Sequence, residues 1–278
     1  MHYERHVNTR LMVWNPYSGL ILRIPPTQNF RRLDRYCYAL GYGCDKSIKS
    51  YKILRFIDHD DGIDNFVEFN IYDFNSGSWR VLDVTPQDWD IFFSHHGVSL
   101  KGNTYWFATE KYSETKEEED SFLVCFDFTS ETFGPSLPLP LPFELYDSED
   151  TVSLSIVREE QLVLLHQPWD TLTMKIWVTT KIEPNAVSWN SHLFLTANIQ
   201  QLIQPQFQFT DASFFIDEEK QVAVVSDKGK DVRCPTPNNI AYIFGVDGSL
   251  KEVDLGECAD ELCYPRVCSY VPSLVQLN

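Results

Sequence analysis

Cys258, Cys263 and Cys268 stand at five-residue intervals near the C-terminus, with Cys234 upstream, and thiolates grouped in this way are ligands that zinc accepts. Zinc sites favour tighter pairs such as Cys-x2-Cys, however, and cysteine is also a common small buried residue of strands, so this spacing predicts no metal. A second group places His95 and His96 behind Asp88 and Asp90, with Trp89, Phe92 and Phe93 interleaved. Imidazole beside carboxylate can hold a metal or move a proton near neutral pH. Adjacent residues of a strand face opposite ways, so the two histidines do not readily share one site. The group reads as a connection whose aromatics cap the core or offer a protein-contact patch. Carboxylates far apart in sequence can also meet as the acid–base pair of a glycosidase. Asp73, Asp127 and Asp247 each open a short turn, where Asp accepts from turn N–H groups and so has a structural role. The sequence holds no Gly-rich phosphate loop, nucleophile elbow or His-Glu-x-x-His, and it is read as a non-enzyme with no cofactor and no metal.

The elements around these residues are hairpins of two kinds. The first is an aromatic-rich strand, a short polar turn and a returning strand that ends in Pro or small residues. It reads LMVWNP-YSG-LILRIPP (Leu11 to Pro26), FNIYDF-NSG-SWRVLDVTP (Phe69 to Pro86), FLVCFDF-TSET-FGPSLPLP (Phe122 to Pro140) and AYIFGV-DGS-LKEVDLG (Ala241 to Gly256). Apolar alternation around such turns marks a β-hairpin. The second kind alternates with the first: ALGYG-CDKSIK-SYKILRF, GVSL-KGN-TYWFATE, SLSIV-REE-QLVLLHQ and SFFID-EEK-QVAVVSD. Each pair makes a four-stranded antiparallel unit, spanning Tyr38 to Val84, Val98 to Leu137, Val152 to Leu195 and Ser213 to Leu255. A repeat of about 40 to 55 residues with four strands is the blade of a β-propeller. The expected fold is therefore all-β and β-propeller-like, with four-stranded antiparallel blades, about five or six in number. Only Pro86 to Phe93 and Ala259 to Leu262 have text for a short helical turn.

The chain opens on the first kind of hairpin with none of the second before it, and closes on strand text, Cys263 to Leu277. A free edge strand templates aggregation, so the two ends are expected to share one composite blade, incomplete on its N-terminal side. Domain organisation follows: residues 1–10 as a short N-terminal segment and 11–278 as one domain. Longer polar connections fall between the second and third strands of a unit, or between units: Ile57 to Asn65, Lys111 to Asp120, Pro142 to Asp150, Asn198 to Gln208 and Asp227 to Asn239. Binding specificity usually resides in such loops on a rigid scaffold. Trp14, Trp79, Trp106 and Trp177 lie within strand patterns and are expected to pack in the core or between blades. Trp89 and Trp169 lie in loop text, where an exposed tryptophan suits a contact. The candidate protein-binding residues are thus Trp89, Phe92, Phe93, His95, Tyr112 and Trp169.

A formal net charge of −17 argues against a nucleic-acid backbone or an anionic membrane as partner. Seven cysteines, an odd number, and no N-terminal signal-peptide text fit a reducing intracellular compartment, cytoplasm or nucleus.

A family resemblance is carried by WNPYSG, YALGYGCDKSIKSYKILRF, NIYDFNSGSWRVLDVTP and GVSLKGNTYWFA, and the downstream FLVCFDFTSETFGP and closing SYVPSLVQL also fit it. In this order they resemble the F-box-associated domain of plant F-box proteins, over about Arg10 to Leu277. The resemblance implies recognition of a target protein for a cullin-based ubiquitin ligase. An F-box would dock on a Skp-type adaptor, and the associated domain would hold the protein to be ubiquitinated. The ten residues ahead of Leu11 are too few for an F-box, so adaptor and cullin are expected partners only where an F-box is supplied. Two alternatives stand beside this reading. One is a propeller-type hydrolase with carboxylates at a central channel; the other is a non-functional truncated relative.

Overall fold

The computed structural model describes residues 11–26, 36–45, 48–60, 65–84, 88–91, 96–111, 121–140, 150–168, 171, 173–199, 209, 212–228, 238–257 and 265–268. The described residues form five antiparallel sheets and no α-helix. They fall in two compact units, Met1–Pro86 with Tyr270–Asn278, and Gln87–Ser269.

The first unit holds a two-stranded and a four-stranded sheet. In the former, β1 (Met12–Trp14) pairs with β2 (Ile21–Arg23), Val13 opposite Leu22 and Trp14 opposite Ile21. The latter runs β3 (Cys37–Asp45), β4 (Ile48–Asp60), β5 (Asn65–Asp73) and β6 (Ser78–Val81) in chain order. Leu11, Val13, Leu22 and Ile24 turn one face of the small sheet onto Ile53, Tyr72, Phe74 and Trp79 of the larger one. The period of two sends Met12, Trp14 and Ile21 to the other face, where Trp14 is 62% exposed. Trp14 is therefore a surface residue, not the core residue its strand pattern suggested. On β4 of the same unit lies Arg55, only 2% exposed. Its guanidinium reaches Glu68 Oε1 at 2.8 Å and lies over the rings of Tyr36 and Trp79.

The second unit holds three sheets. One orders β11 (Thr132–Phe133), β10 (Ser121–Asp127), β9 (Asn103–Glu110) and β7 (Trp89–Asp90), with β8 (Val98–Leu100) also on β9. The next orders β12 (Thr151–Val157), β13 (Gln161–Gln167), β14 (Thr173–Glu183) and β15 (Ala186–Trp189), with β16 (Leu195–Asn198) also on β14. The last is β17 (Ser213–Asp217), β18 (Val222–Lys228), β19 (Asn238–Gly245) and β20 (Leu250–Glu257), paired in chain order.

These sheets match the four repeat units read from sequence, with two corrections. Two of the sheets have five strands, because an edge position is shared by two short ones. On β14, residues Thr173–Ile176 pair with β16, while Thr179–Glu183 pair with β15 across an irregularity at Thr179/Lys181. Where a helical turn was expected within Pro86 to Phe93, the described residues hold a two-residue strand: Trp89 pairs with Glu110 and Asp90 with Thr109. The other expected turn, Ala259 to Leu262, lies outside the described residues, as does the terminal strand text from 269 onward that was expected to share a blade with β1 and β2.

The apolar run of β13 follows from burial on both faces. Leu162 and Leu164 pack toward β9 and β10, against Tyr105, Phe107 and Leu123. Val163 and Leu165 pack the other way, against Phe214, Val225 and Phe244. A repeated bond fastens neighbouring sheets inside each unit. Trp79 Nε1 donates to the Pro25 carbonyl at 2.7 Å, and Trp189 Nε1 donates to the Pro138 carbonyl at 2.8 Å. Each half-buried indole thus donates to the proline-rich tail after the outer strand of the preceding sheet.

Candidate functional site

Antiparallel pairing sorts the connections of each sheet. The turns within hairpins are short and lie at one end, and the longer connections leave from the other. At the short end, Asx turns recur in four of the five sheets. Asn15 Oδ1 accepts from Tyr17 N, Asp73 Oδ1 from Asn75 N, Asp127 Oδ1 from Thr129 N, Asp217 Oδ1 from Glu219 N and Lys220 N, and Asp247 Oδ1 from Ser249 N. Asp73, Asp127 and Asp247 are therefore turn formers, as their positions suggested. Hydrogen bonds from Lys220 and Ser249 hold the Asp217 and Asp247 carboxyls below the usual carboxylate range, so neither is suited to donate a proton as a general acid.

At the long end of the sheet β12–β16 lies a buried polar group. His166 Nε2 is 3.0 Å from Asp150 Oδ2, with His166 3% and Asp150 7% exposed. Burial is the main cause that pushes the His166 pKa down, against the opposing pull of Asp150. The imidazole is therefore neutral at neutral pH, and Nε2 carries the proton that it donates to the carboxylate. Next to it, Gln167 Oε1 accepts from Phe209 N at 3.1 Å, the Thr151 hydroxyl donates to the Phe209 carbonyl, and Ser153 Oγ donates to the Ala212 carbonyl at 2.8 Å. Phe209 itself packs edge-on against Tyr242 and Phe244. Side chains of β12 and β13 thus fix the points where the chain between β16 and β17 touches the core.

A pH dependence follows. The unfolded histidine titrates near 6.5 and the folded one lower, so the unfolded state binds more protons as pH falls below that value. His166 stabilises the fold fully above about pH 6.5 and progressively less below it. Melting temperatures measured from pH 7.5 down to pH 5 are expected to fall more steeply for the natural chain than for His166→Gln. Equal slopes would remove His166 as the cause.

The candidate contact residues separate. Trp89 is buried, 7% exposed, because β7 docks on the end of β9 and its indole packs edge-on against Phe133 at 4.9 Å. It is not the exposed loop tryptophan that its surroundings suggested. Phe92, Phe93, His95, Tyr112 and Trp169 lie outside the described residues, and the described chain beside them locates where they branch off. Lys111 N donates to the Asp88 carbonyl at 2.9 Å and Lys111 Nζ pairs with Asp90 at 3.2 Å, so the segments leading to Phe92 and to Tyr112 start side by side. Thr171 N reaches the Pro168 carbonyl at 3.3 Å across the segment that holds Trp169. Exposed tryptophan is found instead at Trp14, and alternation against the partly buried Val13 was the signal for it.

The short end holds a polar cleft that sequence reading missed. Its volume is about 500 Å³, and it lies where the β8–β9 turn, the β12–β13 turn and the end of β14 meet. Lys101 comes from the first, Glu160 from the second, and Lys181 and Glu183 from the third. The last two form an ion pair at 3.0 Å. Among the described residues no group of three or more His, Cys, Asp or Glu is placed to hold a metal ion, and Cys234, Cys258 and Cys263 lie outside them.

A family profile described as the F-box associated beta propeller domain matches residues 2–277. The chain belongs to this family. Among its relatives, the F-box protein At3g19470 of Arabidopsis thaliana is 63% identical over 270 residues, covering 97% of this chain and 66% of that protein. The F-box/kelch-repeat protein At3g16740 of the same plant is 51% identical over 280 residues, covering 97% of this chain and 70% of that protein. The chain thus spans about two thirds of the length of these relatives. Among solved structures, it is similar to the Hadza microbial sialidase Hz136 at 11% identity and a TM-score of 0.41, over 81% of this chain and 46% of that one. Likeness at that level says nothing of shared chemistry. Membership of the F-box associated family accounts for the antiparallel sheets and for the order of phrases along the chain.

Proposed function

We propose that this F-box associated domain recognises a target protein on behalf of a cullin-based ubiquitin ligase, and performs no chemistry itself. The observation that carries the reading is the family match over residues 2–277. The sheets provide a rigid frame, and the longer connections at one end of them present the contacts. Phe92, Phe93, His95, Tyr112 and Trp169 belong to those connections and are the residues assigned to the target. Aromatic side chains dominate such contacts because they bury much area at small entropic cost. Docking on a Skp-type adaptor and its cullin is the task of an F-box, which the relatives carry in their names. Cytoplasm or nucleus is the compartment this role requires.

The hydrolase alternative gains no support from the described carboxylates. Asp150 faces His166, and Asp227 accepts from Lys228 N at 2.7 Å.

The test is capture from plant extract with the 278-residue chain as bait, read by mass spectrometry. One or a few proteins are expected to be enriched with the natural chain and lost with the Tyr112→Ala/Trp169→Ala variant, while adaptor and cullin stay at background. Direct recovery of adaptor and cullin, or a catch that the variant retains in full, would overturn the reading.

A further inference from the structure

The polar cleft at the short end of the sheets β7–β11 and β12–β16 is a second place where this chain can bind, and nothing in the recognition role above uses it. Its volume of about 500 Å³ lies within the range of ligand sites, roughly 300 to 1,000 Å³. Three observations converge on it. The first is its charge pattern. Lys181 and Glu183 neutralise each other at 3.0 Å on one wall. Lys101 and Glu160, brought in by turns of two different sheets, line the same cleft. Among the described residues neither has an ion-pair partner within 4.0 Å. The cleft therefore offers one uncommitted cation and one uncommitted anion.

The second observation is the backbone. Lys101, Arg158 and Glu159 have φ of 52°, 55° and 55°, in the left-handed region that side-chain-bearing residues disfavour. They are three of the five such non-glycine residues among those described, and all three belong to turns that border the cleft. Tight hairpin turns require positive φ at their central residues, so this backbone sets the place of both turns beside the cleft. The third is rigidity. The turn at Arg158 is tied to the neighbouring sheet by its ion pair with Glu218 at 2.8 Å, and the floor is formed by the buried Tyr105 and Ile182. The charges thus project from turns that close paired strands, and their exposed side chains are ordered on binding.

The geometry points to an extended peptide carrying one acidic and one basic side chain within a few residues of each other, its acid on Lys101 and its base on Glu160. In an extended segment, side chains two residues apart share a face, so a short peptide can present both charges to the cleft at once. A peptide of single sign would leave either Lys101 or Glu160 facing a like charge or nothing.

A phage-displayed library of random nine-residue peptides, panned on the folded chain, tests this. Selected peptides are resynthesised and titrated by fluorescence polarisation against the natural chain and the Lys101→Glu and Glu160→Lys variants. Both positions are exposed at turns, and circular dichroism checks that each variant keeps its strands. The expected peptides carry an acid and a base within three residues, and each variant binds them about tenfold or more weakly. A peptide with acid and base exchanged should bind the Lys101→Glu/Glu160→Lys double variant better than the natural chain. Failure to select any peptide, or affinities that neither variant changes, would overturn the assignment. Trp169→Ala is expected to leave these affinities unchanged, so this site and the recognition surface at the other end of the sheets stand or fall separately.

Discussion

Replacing Glu68 with alanine is expected to destabilise the first unit by about 3 to 5 kcal/mol, the range for stripping one partner from a buried ion pair. Arg55 is 2% exposed, its guanidinium meets Glu68 Oε1 at 2.8 Å, and the same oxygen accepts from Asn70 Nδ2. The charge cannot readily return to water, because the guanidinium carbon sits 4.3 Å from the centre of the Tyr36 ring and 5.5 Å from that of Trp79, itself fastened to Pro25. Alanine at 68 takes this carboxylate from a desolvated cation, which is costlier than never having had the pair. Glu68→Gln keeps an acceptor in place and is expected to lose less than half as much. Urea denaturation, followed by the fluorescence of Trp79 and Trp14, reads both. A midpoint for Glu68→Ala within error of the natural chain would mean that water reaches Arg55.

Gly97→Ala is expected to be the costliest single-methyl change in the second unit. A Cβ at residue 97 would overlap Trp106 Nε1 and Cε2, and Trp106 is 1% exposed. The indole has nowhere to go, since Phe133 packs against it at 6.2 Å and β9 is hydrogen-bonded on both edges. Overpacking of this kind costs about 1 to 3 kcal/mol, and the fixed ring places this case at the upper end. For a unit of this size that is a loss of about 2 to 4 °C in melting temperature for each kcal/mol. Gly248→Ala is the control. Its φ is +84° but no atom lies within 4 Å of the added methyl, so it reports backbone strain alone, about 1 kcal/mol. Gly97→Ala melting above Gly248→Ala would contradict the packing described.

The repeats were legible because their signals are local. Asp or Asn opens each turn, the following N–H groups reach back to it, and the flanking strands alternate. What escaped were features set by partners distant in sequence. Trp89 sits in polar text, yet the end of β9 offers it an unpaired edge and Phe133 a surface. Trp14 sits in strand text, yet its small sheet buries only one face, that of Val13 and Leu22. The two tryptophans therefore exchange the roles their surroundings suggest. The hairpin β14–β15 was hidden because its turn, Pro184–Asn185, follows a strand of eleven residues whose edge is shared by two short partners. The cleft could not be read at all. Its charges come from SLKGN, VREEQ and TKIEPN, each an ordinary turn alone, and only sheet packing makes them face one another.

The most direct test of the central claim is calorimetric titration of the purified captured target into the natural chain and into Tyr112→Ala/Trp169→Ala. A domain that recognises its target through the long connections predicts one binding site, and at least about tenfold weaker affinity in the variant at unchanged melting temperature. Equal affinity in the two chains would place the target elsewhere and contradict the account.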